Sequence, residues 1–177
     1  IHDELSRTQE LIKGRASQAV MVVEPAGKVF YNYDNGWVVG DMVEQLGGYM
    51  PAGERRIGCE ELISYNPDVL FVVYFNEEQH LQIIEMFRRA EFSSLKSVKN
   101  QRVYPIPFDH MYTPAIKTID GLRMIRDGLY PDLAKKKERR NNTAPGVVKP
   151  FAVSAVQFIT KKQKSFILSL IGIKLFQ

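Results

Sequence analysis

Two apolar runs separated by an amphipathic stretch dominate the hydrophobic pattern of the chain. Val69-Leu70-Phe71-Val72-Val73 is continuous, of strand length, and rich in β-branched and aromatic residues. That pattern belongs to a strand covered on both faces, as in a parallel sheet flanked by helices. Residues 60–65 precede it as a short helix with an acidic start. The helix stops at Asn66-Pro67 because proline disfavours the α conformation at the residue before it. Residues 77–89 then predict an amphipathic helix with Leu81, Ile84 and Phe87 inward, and residues 102–106 a second strand. Strand, helix and strand in that order predict a βαβ unit.

Upstream, residues 2–13 predict a helix with Leu5, Leu11 and Ile12 as its apolar positions and Gly14 ending it. Residues 19–24 read as a buried strand closed by Pro25-Ala26-Gly27, followed by an aromatic loop over 28–36. Trp37 opens a helix to Leu46, with Val38, Val39, Met42, Val43 and Leu46 on one face and Gly47-Gly48 as its stop. Residues 49–58 read as a polar connection carrying Arg55 and Arg56, and residues 92–99 as a short link. A loop over 108–112 leads to Thr113-Pro114, a capping pair for a helix reaching Leu129. Ile116, Ile119, Leu122 and Ile125 are its predicted inward face, and Tyr130-Pro131-Asp132 closes it. The domain reading is residues 1–18 as the end of a connecting helix, 19–134 as one α/β lobe, and 135–177 as a basic tail outside the fold.

Composition changes this picture in one place. Up to residue 134, 14 Lys/Arg stand against 19 Asp/Glu; from 135 onward 10 stand against 1. The pI of 9.1 is therefore a property of the tail, and it gives no ground for a nucleic-acid partner. The apolar run 165–176 is about a dozen residues, short of the roughly 20 a membrane-spanning helix needs. With one cysteine, Cys59, the chain has no internal disulfide and no zinc constellation.

Candidate chemistry concentrates at the loops beyond the strands' carboxyl ends, where open parallel sheets meet their ligands. Those loops (25–37, 74–77 and 108–112) hold Tyr31, Tyr33, Trp37, Tyr74, Phe75, His110 and Tyr112. Aromatic rings with a polar edge suit a partly apolar chelate. No His/Asp/Glu cluster has bare-metal spacing, so no metal site is expected. An enzyme reading finds no phosphate loop and no G-x-S-x-G elbow. Asp109 and His110 are adjacent without a placed serine, and the acidic pair after Cys59 would raise its thiol pKa.

The stretches EELISYNPDVLFVV (60–73) and SLKSVKNQRVYPIP (94–107), with LGG at 46–48 and LYP at 129–131, carry a resemblance. In this order they resemble the C-terminal lobe of class III solute-binding proteins of ABC importers, which capture iron–siderophores, haem or cobalamin. The resemblance covers residues 1–132 and leaves the tail outside it. It implies a three-layer Rossmann-like lobe with a mainly parallel sheet, half of a bilobal protein joined by a long helix. It further implies an extracytoplasmic location, with a lipid anchor on the missing N-terminal part as one means of membrane association. The implied partner is an ABC permease, and the implied ligand a ferric chelate, with haem or cobalamin as alternatives and no intrinsic cofactor. Glu60, with Glu61 as its neighbour, falls at the position from which the family presents an acid to permease arginines. His110 and Tyr112 would be the axial ligands if the ligand were haem. The competing reading from a different class is a free-standing α/β domain with an enzymatic or regulatory role.

Overall fold

The computed structural model describes residues 2–112 and 116–134. The tail from residue 135, the Thr113-Pro114 cap and the side chain of Ile116 lie outside the described residues. The sheet is built from β1 (Gln18–Ala26), β2 (Val29–Tyr33), β3 (Gly48–Tyr49), β4 (Arg56–Gly58), β5 (Val69–Tyr74) and β6 (Val103–Pro107). Its order is β4-β2-β1-β5-β6, with β3 pairing β1 off this path. β1, β5 and β6 run parallel, as does β3 with β1, whereas β2 is antiparallel to both β1 and β4. The expected βαβ unit is present. α4 (Glu77–Phe87) connects β5 to β6, and Val72 pairs with Pro105.

Helices cover both faces. On one face α1 (His2–Ile12), α2 (Val38–Gln45) and α7 (Ile116–Leu129) bury Ile12, Val43, Leu46, Ile125 and Leu129 against Val20, Val22, Phe71 and Val73. On the other, α3 (Cys59–Tyr65), α4, a single 3-10 turn (Ala90–Phe92) and α5 (Lys96–Lys99) bury Leu62, Ile83, Phe87, Phe92 and Leu95 against Met21, Val23, Leu70 and Val72. The alternation of β1 and β5 residues between these two clusters is the period-2 geometry of a strand buried on both sides.

The Asn66-Pro67-Asp68 turn does more than end a helix. Asn66 caps α3 in the left-handed region (φ 46°), and its Oδ1 accepts a hydrogen bond from Lys96 N at 2.8 Å. Asp68 Oδ2 accepts from Ala19 N at 2.9 Å, pinning the start of β5 to the start of β1. Its Oδ1 pairs with Lys96 Nζ at 2.5 Å. Burial pushes the Asp68 pKa up, but Lys96 and the Ala19 N–H outweigh it and hold the carboxyl below its usual value.

The structure corrects several expectations. Residues 28–36 are not mainly loop, since Val29–Tyr33 forms β2 in a hairpin with β1, and Ala26 pairs with Val29 across Gly27-Lys28. Gly27 has φ 68°, a conformation that glycine adopts freely at the first position of a two-residue hairpin turn. The connection over 49–58 contains β4, which extends the sheet beyond β2. Residues 92–99 include α5, and residues 109–112 form the helical turn α6 (Asp109–Tyr112). In α4 the buried residues are Ile83 and Phe87, whereas Leu81 is 64% exposed. The helix carries apolar residues at 81, 83, 84, 86 and 87, so two stripes overlap and the sequence does not choose between them. In α1, Leu11 is exposed, and Thr8 is buried on the same side as Ile12.

Candidate functional site

At the carboxyl ends of β5 and β6 the chain turns into short helical starts, and aromatic side chains collect there. A continuous row of rings runs across this end of the sheet. Tyr33 meets Trp37 edge-on at 5.2 Å, and Trp37 meets Tyr112 at 6.0 Å. Tyr112 stacks on Phe108 at 5.1 Å, and Phe108 lies 4.7 Å from Phe75. The row therefore draws on β2, the N-cap of α2, α6 and the loops after β5 and β6. Its middle ring and one end are open to solvent, with Tyr112 54% and Phe75 52% exposed, whereas Tyr33 at the other end is buried. Exposed rings held in mutual contact are a surface already ordered for a ligand.

Beside the row lies a cleft of about 670 Å³ lined by Glu24, Tyr31, Asn32, Tyr33, Trp37, Glu54, Arg55 and Arg56. Tyr31 and Tyr33, two apart on β2, point to one face. Tyr33 is buried and donates its hydroxyl to Glu24 Oε2 at 2.5 Å. Burial first, then that bond, push the Tyr33 pKa well above its ordinary value, so the phenol stays protonated. Arg55 lies over the Trp37 ring at 6.0 Å, and Arg56 over the Tyr31 ring at 5.7 Å. A second, smaller cavity of about 210 Å³ lies between β5 and α4, lined by Glu24, Phe75, Gln79 and Met86 among others.

Five of the seven residues singled out in the sequence thus come together: Tyr31, Tyr33, Trp37, Phe75 and Tyr112. Tyr74 does not join them. It faces the opposite side of the sheet and stacks on His80 at 4.9 Å. His110 is adjacent but engaged, with Nδ1 2.6 Å from Asp109 Oδ1. Lys117 also bonds Asp109, and these two contacts, Lys117 first, hold the Asp109 carboxyl below its usual range. α6 sits so tightly on α7 that a Cβ at Gly121 would fall 2.1 Å from the His110 carbonyl oxygen. Phe108, Arg55 and Arg56 are the site residues that the sequence reading did not assign. The signal for the two arginines was the Gly27-Lys28 hairpin, which places the 54–58 segment beside Tyr31 once β2 is recognised.

Glu60 and Glu61 occupy the first turn of α3. Glu61 is spent locally, its carboxylate accepting from Gly58 N at 2.6 Å. Glu60 is exposed. Gly58 pairs with Val29, which pairs with Ala26 at the end of β1, so Glu60 stands on the same end of the sheet as the ring row. Among the described residues no group of three or more His, Cys, Asp or Glu could hold a metal ion. No helix among them is long and apolar enough to cross a membrane.

No model of a known protein family matches the chain, and no curated protein matches its sequence. Solved structures do. A periplasmic binding protein from Veillonella parvula superposes with TM-score 0.70 at 21% identity, covering 83% of this chain and 46% of that one. An ABC-type Fe3+-hydroxamate transport system protein from Saccharomonospora viridis gives 0.61 at 16% identity, covering 72% and 46%. The periplasmic vitamin B12 binding protein of Vibrio cholerae gives 0.59 at 17% identity, covering 76% and 52%. The chain has the fold of one Rossmann-like lobe of the periplasmic binding proteins, in line with the resemblance its sequence carries. It spans about half the length of each of these structures.

Proposed function

We propose that this chain is the C-terminal lobe of an extracytoplasmic solute-binding protein that captures a ferric chelate and hands it to an ABC permease. The observation that carries the reading is the row of five rings, Tyr33, Trp37, Tyr112, Phe108 and Phe75, lying at the carboxyl ends of the strands. Open α/β sheets meet ligands at this end. A chelate has apolar flanks for such rings and polar edges for the hydroxyls and guanidiniums beside them. Glu60 is the docking acid in this reading, since Glu61 is occupied in capping α3. Its charge-assisted pair with a permease arginine would be stronger than a neutral hydrogen bond.

Haem is the runner-up ligand, with Tyr112 better placed than His110 to reach an iron, because Tyr112 is 54% exposed and the His110 side chain only 20%. Cobalamin stays beside it as a third candidate for the same cleft.

Trp37 is the single tryptophan of the sequence, so its emission reports the row directly. Titration with a ferric siderophore should quench it saturably, beyond the loss seen for a free tryptophan derivative at the same absorbance. One lobe offers half a cleft, so the midpoint is expected in the micromolar to millimolar range, about −8 to −4 kcal/mol. Quenching indistinguishable from the free derivative up to about a millimolar would remove the chelate reading. A Soret band on adding haem, shifted by Tyr112→Phe, would instead move haem to the front.

A further inference from the structure

We infer that the cleft selects chelates with net negative charge, and that Arg55 and Arg56 set this preference. The inference rests on the chelate reading of the cleft and adds the charge class of its ligand. Both arginines lie on a backbone segment that is firmly held. Asn32 N donates to Arg55 O at 2.8 Å, and the buried Asn32 side chain reaches Glu54 O. Tyr31 pairs with Arg56 in the sheet. Consecutive strand residues ordinarily point to opposite faces, yet both guanidiniums turn toward the same cleft, over Trp37 and Tyr31. Arg55 precedes the first residue of β4, so its direction is not bound by the pleat.

No ion pair ties the two guanidiniums down: among the described residues neither forms one with a carboxylate. Glu24, an acid of β1 that lines the cleft, accepts the Tyr33 hydroxyl and keeps its charge. A guanidinium keeps its proton at any working pH and presents a planar fork of donors. Stacked over a ring, that fork is oriented before the ligand arrives, so less freedom is lost when it binds. Carboxylate or catecholate oxygens on a ferric chelate are the acceptors that match two such forks. Neutral hydroxamate oxygens can accept hydrogen bonds but bring no charge for the arginines to neutralise. Glu24 and Glu54 line the same cleft and limit the preference, which makes Glu54 a lever on it.

The test uses the full chain and two probes of similar size, a neutral ferric trihydroxamate and an anionic ferric tricatecholate, with affinity read by Trp37 quenching. The anion is expected to bind at least about tenfold tighter, a difference of roughly 1.4 kcal/mol. Its binding should weaken severalfold as salt is raised, while binding of the neutral probe barely changes. Arg55→Gln with Arg56→Gln should cost the anion about tenfold more than it costs the neutral chelate. Glu54→Gln should tighten the anion. Should the double Gln variant fail to fold, the wild-type salt dependence decides alone, and its absence overturns the inference. Equal affinity for the two probes, or equal losses for both in the double variant, would also overturn it while leaving the chelate reading standing. Binding of neither probe removes the chelate reading and this inference together.

Discussion

The parallel half of the sheet and its antiparallel flank are built on different rules. In β1 and β5 the central residues Val20 to Val23 and Val69 to Val73 are buried without interruption, because helices cover both faces. In β2, Tyr31 is 37% exposed between the buried Phe30 and Asn32, and β4 begins with an exposed arginine. The parallel strands hold the molecule together. The flank gives Phe30, Tyr33 and Ile57 to the core and carries a polar, aromatic surface at Tyr31, Arg55 and Arg56. Stability and the proposed recognition therefore sit on neighbouring strands and should respond separately to substitution.

The largest expected effect tests that separation. Phe71 is fully buried and stacks on Tyr104 at 5.7 Å, so Phe71→Ala should cost about 3–5 kcal/mol in urea unfolding. Tyr31→Ala, on the flank, should stay within about 0.5 kcal/mol. Comparable losses in the two variants would break the comparison.

Next in size is Asp68→Ala, which leaves the Ala19 N–H without its partner and should cost about 1–3 kcal/mol. The Asp68 pKa is depressed in the folded state, so its contribution is complete above the usual 3.8 and is lost as pH falls through the folded value. Melting curves of the wild type should therefore fall more steeply with acid below pH 3.8 than those of the variant. Parallel curves would mean that the clamp does not titrate as described.

Within the flank, Gly27→Val places a β-branched residue at φ 68° and should cost about 1–3 kcal/mol while weakening ligand quenching, since the hairpin positions Tyr31. Stability lost without any change in binding would separate the hairpin from the site. The smallest structural effect is expected for Glu60→Ala, about 0.3–1 kcal/mol for a lost acid at a helix start. Ligand affinity should hold, and stimulation of permease ATP hydrolysis should fall. Unchanged stimulation would mean that Glu60 does not dock.

What the sequence made legible follows the same division. Residues 66–74 and 102–107 were readable because double burial leaves no choice of residue type, and the Asn66-Pro67-Asp68 turn has a fixed backbone task. β2 was not readable as a strand because Asn32, Asp34 and Asn35 give it the composition of a loop, and its one clear sign was the Gly27-Lys28 turn. The ring row was visible as a list of residues, but not as a row. Phe108 escaped notice, and Tyr74 was included, because strand parity decides the face and the loop boundaries hid that parity. Arg55 and Arg56 stood in what read as a connection, so nothing local tied them to Trp37.

One feature of β6 reaches beyond binding. Phe108 N bonds to Tyr74 O and Arg102 O accepts from Leu70 N, so even-numbered residues of this stretch face β5 and odd-numbered ones face away. Pro105 and Pro107 are therefore odd positions on the outermost strand, where proline removes the outward N–H. Of the outward positions 103, 105 and 107, only Val103 can donate to a strand arriving from outside. The sheet resists growing by edge-to-edge addition there. Crowded copies of the chain are thereby hindered from zipping their sheets into a fibre along that edge.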